Sequence, residues 1–178
     1  VAGEQPAKKD FIKLNANENP YPPAPGVAEV IRNFNAGGLN KYPDANAMPL
    51  VRAIAARLGL KEENIFIGNG SDDVLALSFR AFFNSGKPVI YPDITYSFYP
   101  VWCDMLGIPC RTIPVDENYN IRAEDYKREN GGVIICNPNA PTSIGRGLDF
   151  MREILDANPD SVVISDEAYV DFLSLIHI

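Results

Sequence analysis

Apolar positions along this chain fall into two rhythms. Leu50, Ile54 and Leu58 recur at helical spacing, with Pro49 suited to a first turn and Gly59 to a C-terminal stop. A second amphipathic stretch covers residues 72–83, with Val74, Leu75, Leu77 and Phe82 as its burial candidates. Residues 97–106, 123–128 and 148–157 read as further helices. Between them lie short β-rich apolar runs at residues 65–67, 88–91, 109–115, 133–136 and 161–165. Such runs predict strands buried on both faces. Strands alternating with helices predict an α/β fold, a mostly parallel sheet with helices on both faces.

The first part of the chain has neither rhythm. Asn19-Pro20-Tyr21-Pro22-Pro23 and Ala24-Pro25-Gly26 exclude regular helix and central strand. Residues 1–46 therefore read as an extended N-terminal arm with one short helix at 27–33. An arm with so little core of its own is expected to lie on the main domain or on a second subunit.

Composition narrows the classes. With 46% hydrophobic and 22% charged residues, the 178-residue chain can build one sizeable core. A net charge of −7 without any basic run argues against nucleic acid or an anionic membrane surface as partner. No apolar run approaches the roughly 20 residues that span a bilayer, and Val1 to Asp10 contain no apolar leader segment. Cys103, Cys110 and Cys136 form no C-x-x-C pair, so they read as reduced, mostly buried thiols of a cytoplasmic protein. His177 is the only histidine, and no metal site is expected.

Ligands of parallel sheets bind beyond the carboxyl ends of the strands, and four post-strand loops carry chemistry. Gly68-Asn69-Gly70-Ser71-Asp72-Asp73 turns into a helix whose first amides, those of Ser71 and Asp72, can cup an anion. The same residues also read as an ordinary capped helix start. Tyr96 stands at a loop-to-helix junction, where it can stack on a flat ring or pack its own helix. Phe98 and Tyr99 read as packing. Asn137-Pro138-Asn139-Ala140-Pro141-Thr142 is a stiff loop presenting amides, or a plain turn. Asp166 ends a buried strand where a carboxylate needs a cationic or donor partner, and Tyr169 follows three residues later. Asp166 as a helix cap is the other reading. Together the four loops supply the walls of one pocket for a phosphorylated, cationic heteroaromatic ring. A flavodoxin-like or nucleotide-binding module would explain the alternation but would leave Asp166, Tyr169 and the Asn-Pro loop without a role.

Five motifs in order, Leu14-Asn15-Ala16-Asn17-Glu18-Asn19-Pro20, Lys41-Tyr42-Pro43-Asp44, Gly68 to Asp72, Asn137 to Thr142 and Asp166-Glu167-Ala168-Tyr169, resemble the fold-type I aminotransferases dependent on pyridoxal 5'-phosphate (PLP), most narrowly the histidinol-phosphate aminotransferase group. The resemblance runs from Gly3-Glu4-Gln5-Pro6 to Asp171-Phe172. It implies the large domain of that fold over residues 47–172. By resemblance, the Ser71 and Asp72 amides hold the cofactor phosphate, Tyr96 stacks on the ring, Asp166 pairs with the pyridine nitrogen and Tyr169 binds the ring oxygen. Tyr42 would reach the cofactor of a partner subunit, implying a homodimer, and Asn17 would lie near the substrate. The implied reaction moves an amino group between glutamate and a 2-oxo substrate, imidazole-acetol phosphate, in histidine biosynthesis. Aromatic aminotransferases and threonine-phosphate decarboxylases are the neighbouring alternatives.

Three departures from the family pattern stand out. Ala140 occupies the position of an asparagine that touches the ring oxygen, leaving Asn139 or Asn137 to substitute. Ser143 stands where the family has glycine. Residues 173–178 do not resemble the family, and no lysine follows Asp166. The Schiff-base lysine is therefore expected beyond the end of a chain truncated at its C-terminus, and the chain by itself is expected to be a non-catalytic fragment.

Overall fold

The computed structural model describes residues 12, 14 and 16–173. Asn15, the start of the family resemblance at Gly3 to Pro6, His177 and all of the tail except Leu173 lie outside the described residues. The chain divides into two compact units, residues 1–48 and 49–178.

Among its described residues the first unit holds one α-helix, α1 (Pro25–Arg32), which starts on a proline and buries no residue, and a 3-10 turn at Ala36–Gly38. Its apolar side chains Val30 and Ile31 stay exposed. Local side-chain caps organise the rest. Asn35 accepts from the Gly37 amide at 2.9 Å, and Asp44 accepts from the Asn46 and Met48 amides at 3.0 and 2.8 Å. These short polar closures suit a Pro- and Asn-rich segment.

The second unit contains the sheet. Four parallel strands, β1 (Val89–Pro92), β2 (Cys110–Ile113), β3 (Gly132–Cys136) and β4 (Val163–Asp166), lie in the order β2-β1-β3-β4. Side chains alternate across the sheet. Val89, Tyr91, Ile134 and Cys136 face one core layer, formed with Leu75 and Phe79 of α3 (Ser71–Phe82) and Tyr99 and Cys103 of α4 (Tyr99–Leu106). Ile90, Val133 and Ile135 face the opposite layer, formed with Phe150 and Ile154 of α5 (Leu148–Ala157) and the 3-10 turn Ala123–Tyr126. Each fully buried aliphatic or aromatic side chain there contributes about 1.5–3 kcal/mol. The expected α/β architecture, a parallel sheet with helices on both faces, is the one observed.

Three expectations need correction. The run 65–67 joins no ladder, although Ile65 is extended at φ −112°, ψ 125°. A β-prone run becomes a strand only where a neighbour completes its hydrogen bonds, and no described strand lies beside this one. In α2 (Met48–Leu58) the buried residues are Val51 and Ala55, while Leu50 and Leu58 are exposed. In α3 the buried pair is Leu75 and Phe79, and Leu77 and Phe82 are exposed. Both helices carry apolar side chains on more than one stripe, so spacing alone cannot fix which stripe meets the sheet. Of the cysteines, Cys103 and Cys136 are buried and Cys110 is exposed. No helix among the described residues is long and apolar enough to cross a membrane.

Candidate functional site

From β1 the chain moves outward to β2, then returns past β1 to β3 and continues to β4, so the connections reverse between β1 and β3. Open α/β sheets bind ligands at such a reversal, beyond the carboxyl ends of the strands. A cleft of about 260 Å³ lies at those ends and is lined by Ser71, Asp72, Tyr96, Cys136, Asp166 and Tyr169, among others. Five expected site residues thus meet in one place: Ser71, Asp72, Tyr96, Asp166 and Tyr169. Its volume, slightly below the usual range for drug-sized ligands, suits a molecule with a single ring.

One wall is the start of α3. Gly70 precedes the helix at φ +85°, a left-handed conformation that favours glycine. At Gly68 an added Cβ would stand 2.7 Å from a Val74 methyl, so only glycine lets the chain pass so close to the helix. Asp73 closes this turn by accepting from the Asn69 amide at 2.9 Å. Ser71 and Asp72 line the cleft, and their amides belong to the first helical turn, where no intrahelical acceptor exists and an anion can take its place.

Tyr96 forms the aromatic wall. Its hydroxyl donates to Asp72 Oδ1 at 2.8 Å, and its ring lies near-parallel to Phe98 at 5.9 Å. Desolvation, reinforced by the Asp72 carboxylate, pushes its phenol up to about 12. The side chain therefore stays neutral, a flat donor, across the physiological range.

Asp166 forms the floor. It ends β4 opposite Cys136 in the parallel register and is 6% exposed. Oδ2 accepts from the Tyr99 hydroxyl at 2.7 Å, and Oδ1 accepts from the Ala168 amide at 3.3 Å. Both donors are neutral, and none of the ion pairs formed among the described residues involves Asp166. A buried carboxylate with neutral partners only is a receptor for a cation. A protonated pyridine nitrogen meets that need, so the donor set fits PLP: amides for phosphate, an aromatic wall for the ring and a carboxylate for the nitrogen.

One expected site residue of this unit, Asn139, is not among those lining the cleft. Asn139 is 2% exposed, and its amide is committed elsewhere. Its Oδ1 accepts from Thr95 Oγ1 at 2.7 Å, and its Nδ2 donates to the Ile94 carbonyl at 2.8 Å and to Thr142 Oγ1 at 3.1 Å. Asn139 thus ties the loop after β3 to the loop after β1 across the reversal, which holds Tyr96 in place. Asn137 is likewise engaged, donating to the Arg146 carbonyl at 3.0 Å and accepting from the Arg146 amide at 2.7 Å. Both Nδ2 hydrogens of Asn139 are thus committed, and Ala140 packs against the core layer of Tyr99 and Cys136. Ser143 adopts φ +61°, the region where a glycine is at ease. Tyr42 and Asn17 lie in the first unit, both exposed. Tyr99 went unrecognised in the sequence as more than a packing residue, because nothing in a single tyrosine of an aromatic cluster reveals where its hydroxyl points.

A parallel sheet whose strand ends gather an anion cup, an aromatic wall and a buried carboxylate defines an α/β protein built to hold a phosphorylated heteroaromatic group. The chain belongs to the aminotransferase class I and II family, whose model matches residues 9–175. It is 51% identical over 175 residues to a histidinol-phosphate aminotransferase of Acinetobacter baumannii (strain SDF), covering 97% of this chain and 48% of that protein. The chain thus spans about half the length of the curated relatives it matches. Among solved structures, histidinol-phosphate aminotransferase from Sinorhizobium meliloti, in complex with pyridoxal-5'-phosphate, superposes with a TM-score of 0.73 at 27% identity over 88% of this chain and 44% of that one. The Clostridium acetobutylicum enzyme of the same name gives 0.68 at 27% identity over 83% and 43%.

Proposed function

We propose that this chain is the cofactor-binding part of a PLP-dependent aminotransferase that exchanges an amino group between histidinol phosphate and 2-oxoglutarate, yielding imidazole-acetol phosphate and glutamate, or the reverse. The observation that carries this reading is the buried Asp166 carboxylate, held by neutral donors only, at the floor of the cleft shared with Ser71, Asp72, Tyr96 and Tyr169. The 51% identity to a histidinol-phosphate aminotransferase supports the narrower substrate over the aromatic aminotransferase and threonine-phosphate decarboxylase alternatives.

In this reading the Ser71 and Asp72 amides bind the phosphate, Tyr96 stacks on the ring and Tyr169 donates to the ring oxygen. When bound, PLP supplies an electron sink for a carbanion formed at the substrate carbon. Asp166 makes that possible by stabilising a positive charge on the ring nitrogen. Asn139 contributes by locking the loop that carries Tyr96. Residues 1–46 act as an arm, with Asn17 near the substrate and Tyr42 reaching the cofactor of a second subunit in a cytoplasmic homodimer. The chain covers about half of its relatives' length, so the activity is proposed for the longer protein that carries it.

A full-length protein carrying this chain should transaminate histidinol phosphate in a steady-state assay at higher kcat/KM than any aromatic amino acid. Equal or better turnover of aromatic substrates would reject the narrow assignment.

A further inference from the structure

Tyr99, on α4, is 0% exposed and touches both the aromatic wall and the floor of the cleft. Its ring meets Tyr96 edge-on at 5.6 Å and Tyr91 at 5.7 Å. Its hydroxyl donates to Asp166 Oδ2 at 2.7 Å. Desolvation, with Cys136 and Asp166 adding to it, holds the phenol far above its ordinary range. It is therefore a permanent donor that cannot give up its own proton. The other groups facing this carboxylate are the Ala168 amide, the Cys136 thiol and the cleft phenols of Tyr96 and Tyr169. None of these carries a positive charge.

A carboxylate with a charged donor opposite it shares a proton with that donor, and the share depends on how basic the carboxylate is. A hydrogen bond donated to the carboxylate stabilises its anionic form and lowers its basicity. We propose that Tyr99 is a positioning residue for the reaction: its hydroxyl occupies Oδ2 of Asp166 and draws on that oxygen's electron density, so that the proton between Asp166 and the ring nitrogen stays on the ring. This rests on the cofactor reading above. The same side chain braces Tyr96 through its ring, so one residue sets both the counter-charge and the stacking wall.

The test uses the full-length protein carrying this chain, loaded with PLP labelled with nitrogen-15 in the ring, and reads the ring-nitrogen resonance by NMR. Tyr99→Phe keeps the ring and deletes only the donor. It should move the resonance toward the unprotonated position, corresponding to a change of about tenfold in the proton equilibrium. Replacing Tyr99 with 4-fluorophenylalanine, which fills the hydroxyl volume without donating, should move it alike and serves if the phenylalanine variant does not fold. Replacing Tyr99 with 3-fluorotyrosine perturbs the ring but keeps the donor, and should retain the wild-type signal. An unmoved resonance in a donor-less variant that still takes up cofactor overturns the role of Tyr99 alone, as does an equal displacement in the 3-fluorotyrosine protein. A wild-type protein that takes up no PLP overturns the functional reading, and this assignment falls with it.

Discussion

The two ends of the sheet make opposite use of charge. At the amino ends of the strands lies the larger depression, about 910 Å³, bordered by Lys87, Lys127, Arg128, Asp149, Arg152 and Glu153 among others. Its ion pairs, Lys87–Glu129 at 3.0 Å, Lys127–Glu153 at 3.1 Å and Arg152–Asp149 at 3.3 Å, have side chains at least half exposed. At the carboxyl ends lies a cleft of about 260 Å³ with one buried carboxylate and no paired cation. Water already solvates the charges of the first region, so they compensate each other and little remains to bind anything. In the second region a single charge has been removed from water, and its need for a partner is what the proposed cofactor binding would use. Volume is a poor guide to a site; uncompensated burial is a better one.

Asp166→Asn sharpens this contrast most. It keeps the shape and removes the charge, so the cation of a bound cofactor loses its counter-ion. Breaking one side of a buried ion pair costs about 3–5 kcal/mol, so PLP affinity of the full-length protein should fall by roughly 2 × 10²- to 5 × 10³-fold. Spectrophotometric titration measures this, and a loss below tenfold would remove electrostatics from the description of the cleft. Asn139→Ala comes next. It strands the Thr95 hydroxyl and the Ile94 carbonyl in a partly buried loop pair. Denaturant unfolding should show a loss of about 1–3 kcal/mol. An unchanged midpoint would mean that the two loops stay joined without it.

The contrast also explains what could be read in the sequence. The strand-helix alternation, α5 with the same ends as expected, the helix start at Ser71, and the placing of Tyr96 after β1 and of Asp166 at the end of β4 follow from local patterns, and local patterns are what a sequence records. The buried faces of α2 and α3 did not follow, because Leu50 and Phe82 are as apolar as Val51 and Phe79 and only the sheet decides between the stripes. Residues 65–67 have the composition of a strand, but pairing depends on a neighbour remote in sequence. The Tyr99–Asp166 bond spans 67 residues and the Asn139–Thr95 bond 44. No spacing rule reaches that far, so a positioning tyrosine looked like packing and a loop-locking asparagine looked like a ligand.

Tyr96 offers a smaller and more local test at the cleft. Burial and Asp72 raise its phenol to about 12 from an ordinary 10.0, favouring the neutral form in the folded state. The stabilisation is therefore fully present below pH 10 and is lost as the pH rises through 12. Ultraviolet titration of phenolate absorbance should find a tyrosine with a midpoint near 12, ahead of the more deeply raised Tyr91, Tyr99 and Tyr126, that Tyr96→Phe removes. Asp72→Asn should lower that midpoint only in part, because desolvation is the larger cause. A complete return to the ordinary value would make Asp72 the dominant influence and Tyr96 more hydrated than its setting implies.

The smallest effect is expected at the other end of the sheet. Lys127→Met removes the partner of Glu153 from a pair whose side chains are each 50% exposed. The Coulomb gain there is offset by hydration and by the entropy of fixing two long side chains, and exposed pairs of this kind contribute about 0–1 kcal/mol. A double-mutant cycle with Glu153→Gln isolates the pair from any packing lost with the lysine stem. The coupling should be a few tenths of a kcal/mol at low salt. It should fade as ionic strength shortens the screening length to about 3 Å near 1 M. A coupling above about 2 kcal/mol, or one indifferent to salt, would mean that charge at this end of the sheet is also withheld from water. The groove would then need a functional explanation of its own.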